Sequence, residues 1–152
     1  MKNDLTTSIN KCPAHWKQPS RIYGEACEYW VESNIRCPKC GGTLDKLQAN
    51  EKSIDHRCSS CKEEYQTKAS KTNIIKSDGS ISILGAQYKT TLSNIGRWGL
   101  ICVKYCPNSN KILSYKVVSK EKITEDCIIP RNPLGPNARR AGWVGCHINI
   151  PA

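Results

Sequence analysis

The sequence predicts a mixed α/β domain, with a mixed sheet flanked by helices. Three observations carry this. Residues 21–32 put Ile22, Ala26, Tyr29 and Trp30 at spacings that form one apolar helix face. Residues 99–105 (Gly-Leu-Ile-Cys-Val-Lys-Tyr) have the composition of a core strand, and Pro107-Asn108-Ser109-Asn110 turns the chain back into a partner at 112–118. Between these regions, two Cys-x-x-Cys pairs bracket a short hairpin.

The elements follow in order. Residues 1–17 are expected to be a loose polar arm, and residues 18–152 one domain. Ser20 is positioned to cap the helix at 21–32. Residues 43–51 are ambiguous. Residues 53–57 and 64–69 are strand candidates on either side of the second cysteine pair, and Asp78-Gly79 marks a turn. Residues 81–94 are expected to form a helix, with Ile83, Leu84, Tyr88 and Leu92 apolar. Residues 123–129 give no clear signal. Residues 130–142, rich in Pro, Gly, Asn and Arg, should be irregular, and residues 143–150 lead into a final strand.

The cysteine pairs are Cys37-Pro38-Lys39-Cys40 and Cys58-Ser59-Ser60-Cys61, with seventeen residues between Cys40 and Cys58. That spacing matches a four-cysteine zinc ribbon over 37–61. Four thiolates close a tetrahedral shell around Zn²⁺ and leave no position for a substrate, so the zinc is expected to be structural. It would supplement a core built without phenylalanine, from Ile, Leu and Val with four Trp and six Tyr.

The net charge is +10, from 23 Lys and Arg against 13 Asp and Glu. Such a balance favours polyanions, because each neutralised phosphate releases counterions; solubility alone is the plainer explanation. No apolar stretch is long enough to span a membrane, and the polar N-terminus lacks the pattern of a signal peptide. Paired metal-type cysteines suit a reducing compartment, so a cytoplasmic location is expected.

Asp55 lies three residues before the second pair, and Gln66-Thr67-Lys68 begins five residues after it. On a strand Gln66 and Lys68 share a face and Thr67 points away. The hairpin can bring Asp55 beside them. An Asp followed by Asp, Glu or Gln, any residue and Lys is the pattern of the PD-(D/E)xK nucleases. Mg²⁺ takes oxygen ligands, and the Asp55 carboxylate, the Gln66 side-chain carbonyl and the Thr67 backbone carbonyl supply them. Lys68 is placed to orient a water and to stabilise charge at the phosphate. The same residues are also compatible with a solvated strand face.

Residues 133–146 (Pro-Leu-Gly-Pro-Asn-Ala-Arg-Arg-Ala-Gly-Trp-Val-Gly-Cys) resemble the segment that closes the catalytic domain in the DpnI and Dam-replacing family. Cys37-Pro38-Lys39-Cys40-Gly41, Asp55-x-x-Cys58-x-x-Cys61 and Gln66-x-Lys68 occur in the same order and spacing as in that family, and the likeness runs over about 21–150. The resemblance implies a PD-(D/E)xK restriction-endonuclease-like fold with an embedded zinc ribbon. It implies a Mg²⁺-dependent type II endonuclease acting on double-stranded DNA, at GATC sites carrying N6-methyladenine. By position it makes Asp55 and Lys68 the catalytic pair, and Cys37, Cys40, Cys58 and Cys61 the zinc ligands. The family's central glutamate is Gln66 here, and the family's winged-helix domain has no counterpart before Ala152. The alternative is a zinc-containing DNA-binding module, a truncated relic in which Gln66 has ended catalysis. A zinc ribbon serving protein contacts is a third reading, and it predicts no salt-sensitive DNA affinity.

Other candidates are open to two readings. Arg139 and Arg140 either contact phosphates or shape a turn anchored by Trp143. Lys62, Lys71 and Lys76 either track a backbone or are solvated charge. Glu25, Glu28 and Glu32 are expected on an exposed helix face, although Glu28 or Glu32 could join a metal shell. His56 should pack or lie at the surface. Trp98 and Trp143 are the large flat side chains available for a methylated base. Neither Cys12 with His15 nor Cys102 with Cys106 has the second half of a metal site, and Cys102 and Cys127 look like small buried hydrophobes.

Overall fold

Residues 99–103 are five consecutive buried positions, and the fold is arranged around them. The computed structural model of the chain describes residues 2–48 and 54–152. The buried run belongs to β5 (Gly99–Cys106), the fourth strand of a five-stranded sheet. In spatial order that sheet is β1 (Leu44–Lys46), β2 (His56–Cys58), β3 (Glu64–Ser70), β5 and β6 (Lys111–Val118). All its neighbours pair antiparallel except β3 and β5, which run parallel with Gln66 opposite Leu100 and Lys68 opposite Cys102.

Alternate residues of β5 face two different layers, as the pleat requires. Ile101, Val103 and Tyr105 pack with Ala26, Cys27, Trp30 and Val31 of α2 (Pro19–Asn34). Leu100 and Cys102 pack with Ile81, Ile83, Cys146, Ile148 and Ile150. Those last five belong to a second, antiparallel sheet made of β4 (Ile81–Gln87), β8 (Gly145–Ile150) and β7 (Ile128–Pro130), in the order β4-β8-β7. A helix layer, a mixed sheet and a small second sheet therefore stack in that order. A strand buried on both faces reads as a continuous apolar run, which is why β5 was recognisable.

The expected helix at 81–94 is a correction. Residues 81–87 form β4, and only Tyr88–Ser93 is helical (α3). Ile81 and Ile83 are buried at period two, and β8 supplies the pairing partner: Ile81 lies opposite Ile150 and Ile83 opposite Ile148. Gly85 allows the strands this approach, since a Cβ there would stand 2.6 Å from Cys146 Sγ. The expected mixed sheet forms, and the final strand joins a small second sheet beside it.

The N-terminal segment is also docked. Leu5 is fully buried, Asp4 bridges to Lys111, and Trp30 Nε1 donates to the Lys2 carbonyl at 2.7 Å. A short helix, α1 (Thr6–Asn10), follows. Helix α2 begins at Pro19 with Gln18 as the capping position and no side-chain cap bond, so Ser20 is not the cap. Proline at the first helical position loses no hydrogen bond and has a suitable φ, so the start needs no cap side chain. Of the strand expected at 53–57, only residues 56–57 fall in β2; Ile54 and Asp55 precede it, and Ser53 lies outside the described residues. The strand at 64–69 and the hairpin partner at 112–118 lie where expected, and of the segment 130–142 expected to be irregular only Pro130 is in a strand, β7. Among the described residues, no helix is long and apolar enough to cross a membrane.

Candidate functional site

Each Cys-x-x-Cys segment turns tightly enough to bring its two thiols to one point. Cys37 N–H donates to the Gly42 carbonyl at 2.9 Å, and Cys58 N–H to the Glu63 carbonyl at 2.8 Å. Gly42 is needed here, because a Cβ would stand 2.9 Å from both Cys58 Sγ and Ser60 Oγ. The four sulfurs of Cys37, Cys40, Cys58 and Cys61 all lie within 4.8 Å of one another. Cys40 Sγ is 3.3 Å from Cys58 Sγ, and Cys37 Sγ is 3.6 Å from Cys61 Sγ. Tetrahedral zinc with bonds of about 2.3 Å needs sulfurs a little under 4 Å apart, so this cluster can hold such a metal. Tyr65 reaches in behind it, its hydroxyl 3.8 Å from Cys37 Sγ. Cys12 with His15 and Cys102 with Cys106 do not join the cluster.

The second knuckle makes β2 and β3 a hairpin, with His56 opposite Tyr65 and Arg57 opposite Glu64. One step further, the Asp55 N–H donates to the Tyr65 carbonyl at 2.9 Å. Its carboxylate then accepts the backbone N–H of Thr67 at 2.7 Å. The aspartate is thus fixed against the centre of the Gln-Thr-Lys triplet. Because a residue's N–H and C=O point to the same side of its strand, the Thr67 carbonyl also faces the β2 side. Gln66 and Lys68 share the face opposite to Tyr65 and Thr67, and both are half-buried.

His56 occupies the other face and is fully buried. Its Nε2 lies 2.9 Å from the Glu28 carbonyl, and its Nδ1 lies 2.7 Å from Thr67 Oγ1. A carbonyl only accepts, so Nε2 carries the proton and the Thr67 hydroxyl donates to Nδ1. Burial lowers the His56 pKa, which keeps the ring neutral as this pattern requires. The imidazole therefore locks α2 to β3 immediately behind Asp55.

The expectation of an exposed glutamate face on α2 is corrected. Lys46 Nζ is 2.6 Å from Glu25 and 3.9 Å from Glu28, and Glu32 accepts the Lys46 backbone N–H at 2.7 Å. Burial, then the negative charge of Asp55, push the Glu28 carboxyl up to about 8. Lys46 was not singled out from the sequence. Its signal was indirect: three glutamates at i, i+3 and i+7 on one helix face repel and need a cation.

The remaining candidates separate. Arg140 stacks over Trp143 with its guanidinium 4.6 Å from the ring centroid, which fits the anchored turn, while Arg139 is exposed. Trp98 is buried in the core against the second sheet, with its Nε1 donor unpartnered. Cys102 and Cys127 are buried among apolar neighbours, and burial pushes the Cys102 thiol up to about 12.

On a mixed α/β fold, a thiol cluster brackets a hairpin and a carboxylate is pinned beside a Gln-x-Lys strand, the arrangement expected from the sequence. The comparison with family models agrees. The model described as DpnI, Dam-replacing family, matches residues 3–152, and the chain belongs to this family of restriction-type nucleases. The match includes the docked N-terminal segment.

Proposed function

We propose that the chain is an endonuclease that hydrolyses phosphodiester bonds of double-stranded DNA, using Asp55, Gln66 and Lys68. The observation that carries this reading is the 2.7 Å bond from Thr67 N–H to the Asp55 carboxylate, which joins the two halves of the candidate site across one hairpin. Family membership supplies the class of substrate. The proposed target is a GATC site with N6-methyladenine, where a methyl in the major groove can be recognised by apolar contact, as that of thymine is. The ten free thiols suit a reducing, cytoplasmic setting.

The donor set fits a hard cation: a carboxylate, an amide carbonyl at Gln66 and the Thr67 carbonyl. When bound there, Mg²⁺ supplies Lewis-acid polarisation of the phosphate and a more acidic water. The protein's own share is positional. Thr67 N–H fixes the Asp55 carboxylate so that its remaining lone pairs face the site. Lys68 contributes a positive charge where the phosphate oxygens gain negative charge, and its N–H groups orient the attacking water. The thiol cluster holds structural Zn²⁺ and keeps β2 and β3 in register.

One observation favours the alternative, a DNA-binding module without catalysis. Gln66 is a neutral ligand where the family pattern has a carboxylate. A single assay separates the two: a plasmid with GATC sites, methylated or not, incubated with Mg²⁺ beside a Lys68→Ala variant. Cutting of methylated DNA alone, lost in the variant, is the expected result. Cutting of both plasmids keeps the chemistry and removes the methyl specificity. Binding without cutting gives the module reading.

A further inference from the structure

An open groove is lined by the last residues of β3, Lys68 to Ser70, and by the loop after it. It lies past the carboxyl end of β3, against β4, the edge strand of the second sheet, and has a volume of about 380 Å³. In sheets with parallel strands, the carboxyl ends are where loops diverge and ligands enter. Lys68 lies in one wall, Thr72 follows on the loop after β3, and Ser82 and the exposed His147 come from the second sheet. Ile74 and Ile83 give it apolar surface. Lys71 is exposed on the same loop.

The chemistry of this lining is specific. It combines a cation, hydroxyls and an imidazole, all able to donate to phosphate oxygens, with apolar surface suited to a sugar. None of the six lining residues named is an acid that would repel a phosphate. His147 is in register with Leu84 on one side and Ile129 on the other, in the middle of the second sheet. Its side chain is therefore carried by a central strand and exposed, where a ligand can reach it.

We propose that this groove seats the sugar-phosphate backbone of the cleaved strand beside the scissile phosphate, with His147, Thr72 and Ser82 as phosphate contacts across from Lys68. The inference rests on the nuclease reading for the identity of the strand. It goes beyond that reading in giving the second sheet a share in DNA binding.

The test uses the full chain and a fluorescein-labelled duplex carrying one methylated GATC site. Affinity is measured by anisotropy without Mg²⁺, and cleavage by single-turnover assay with it. His147→Ala and Ser82→Ala are compared with His15→Ala, an exposed histidine on the N-terminal segment. Thermal unfolding of each variant checks the fold. The expected result is a loss of affinity of about tenfold for His147→Ala, as for one contact to a charged group, and none for His15→Ala. Wild-type affinity and cleavage in both groove variants would overturn the groove and leave the nuclease intact. If the chain binds DNA without cutting and His147→Ala still weakens binding, the groove stands and the nuclease reading falls. If there is no DNA binding at all, both fall.

Discussion

His56 Nδ1 lies 2.7 Å from Thr67 Oγ1, which ties the residue next to the candidate catalytic aspartate to the middle of the Gln-Thr-Lys strand. The same ring holds the Glu28 carbonyl of α2 through Nε2. Removing it leaves the Thr67 hydroxyl without this partner, takes the second contact from the Glu28 carbonyl and opens a cavity. His56→Ala should therefore destabilise the protein by about 2–4 kcal/mol, and Thr67→Val by about 1–2 kcal/mol. Urea midpoints of the three proteins check this. A His56→Ala midpoint equal to wild type would mean that the ring is not what joins α2 to β3.

The acid groups give stability a pH dependence with two opposing slopes. His56 has a lowered folded pKa, so its contribution is present above the unfolded value near 6.5 and is lost as pH falls through the folded one. Glu28 has a carboxyl raised to about 8, so the folded state holds its proton longer than the unfolded chain does. Its contribution is greatest below the unfolded value near 4.5 and is lost as pH rises towards 8. Glu28→Gln should then gain on wild type as pH rises from 5 to 8, by about 2 kcal/mol at the upper end. Thermal melts across that range measure the difference. A constant gap would show that Glu28 is ionised throughout.

The thiol cluster predicts about one zinc per chain by elemental analysis, removable by chelator with loss of folded structure, since metal affinity here is folding free energy. Cys58→Ser should lower the metal content and the melting temperature together. Because Cys58 is in the same short strand as His56, the variant should also impair any cleavage. Full stability after chelation would separate the cluster from the fold.

Gln66→Glu restores the acidic ligand of the family pattern. If Asp55 and Gln66 hold the same cation, the added charge should reduce the Mg²⁺ concentration needed for half-maximal cleavage by about tenfold or more. The measurement is a Mg²⁺ titration of cleavage, with Mn²⁺ binding followed by electron paramagnetic resonance as a readout independent of turnover. An unchanged Mn²⁺ affinity would remove residue 66 from the metal shell.

Much of this was legible in local sequence. The cysteine spacing, the Asp55 and Gln-Thr-Lys offsets, the run of β5 and the turn into β6 depend on neighbours within a few residues, and short-range signals record them. Two of the departures share one cause. Residues 81–87 have mixed periodicity, and their strand state comes from β8, with Ile81 paired to Ile150. Likewise the polar segment before residue 18 is fixed by Asn110 and Lys111, which take Leu5 and Asp4 into the edge of β6.

The sequence by itself determined the metal frame, the hairpin that carries Asp55 and Lys68, and the family. Tertiary structure decided the second sheet, the burial of Glu28 beside Asp55 with Lys46 as its counter-charge, and the groove that sets His147 across from Lys68. The physical reason is that pairing partners, dielectric surroundings and counter-charges come from residues distant in the chain, and no local pattern encodes which distant residue will supply them.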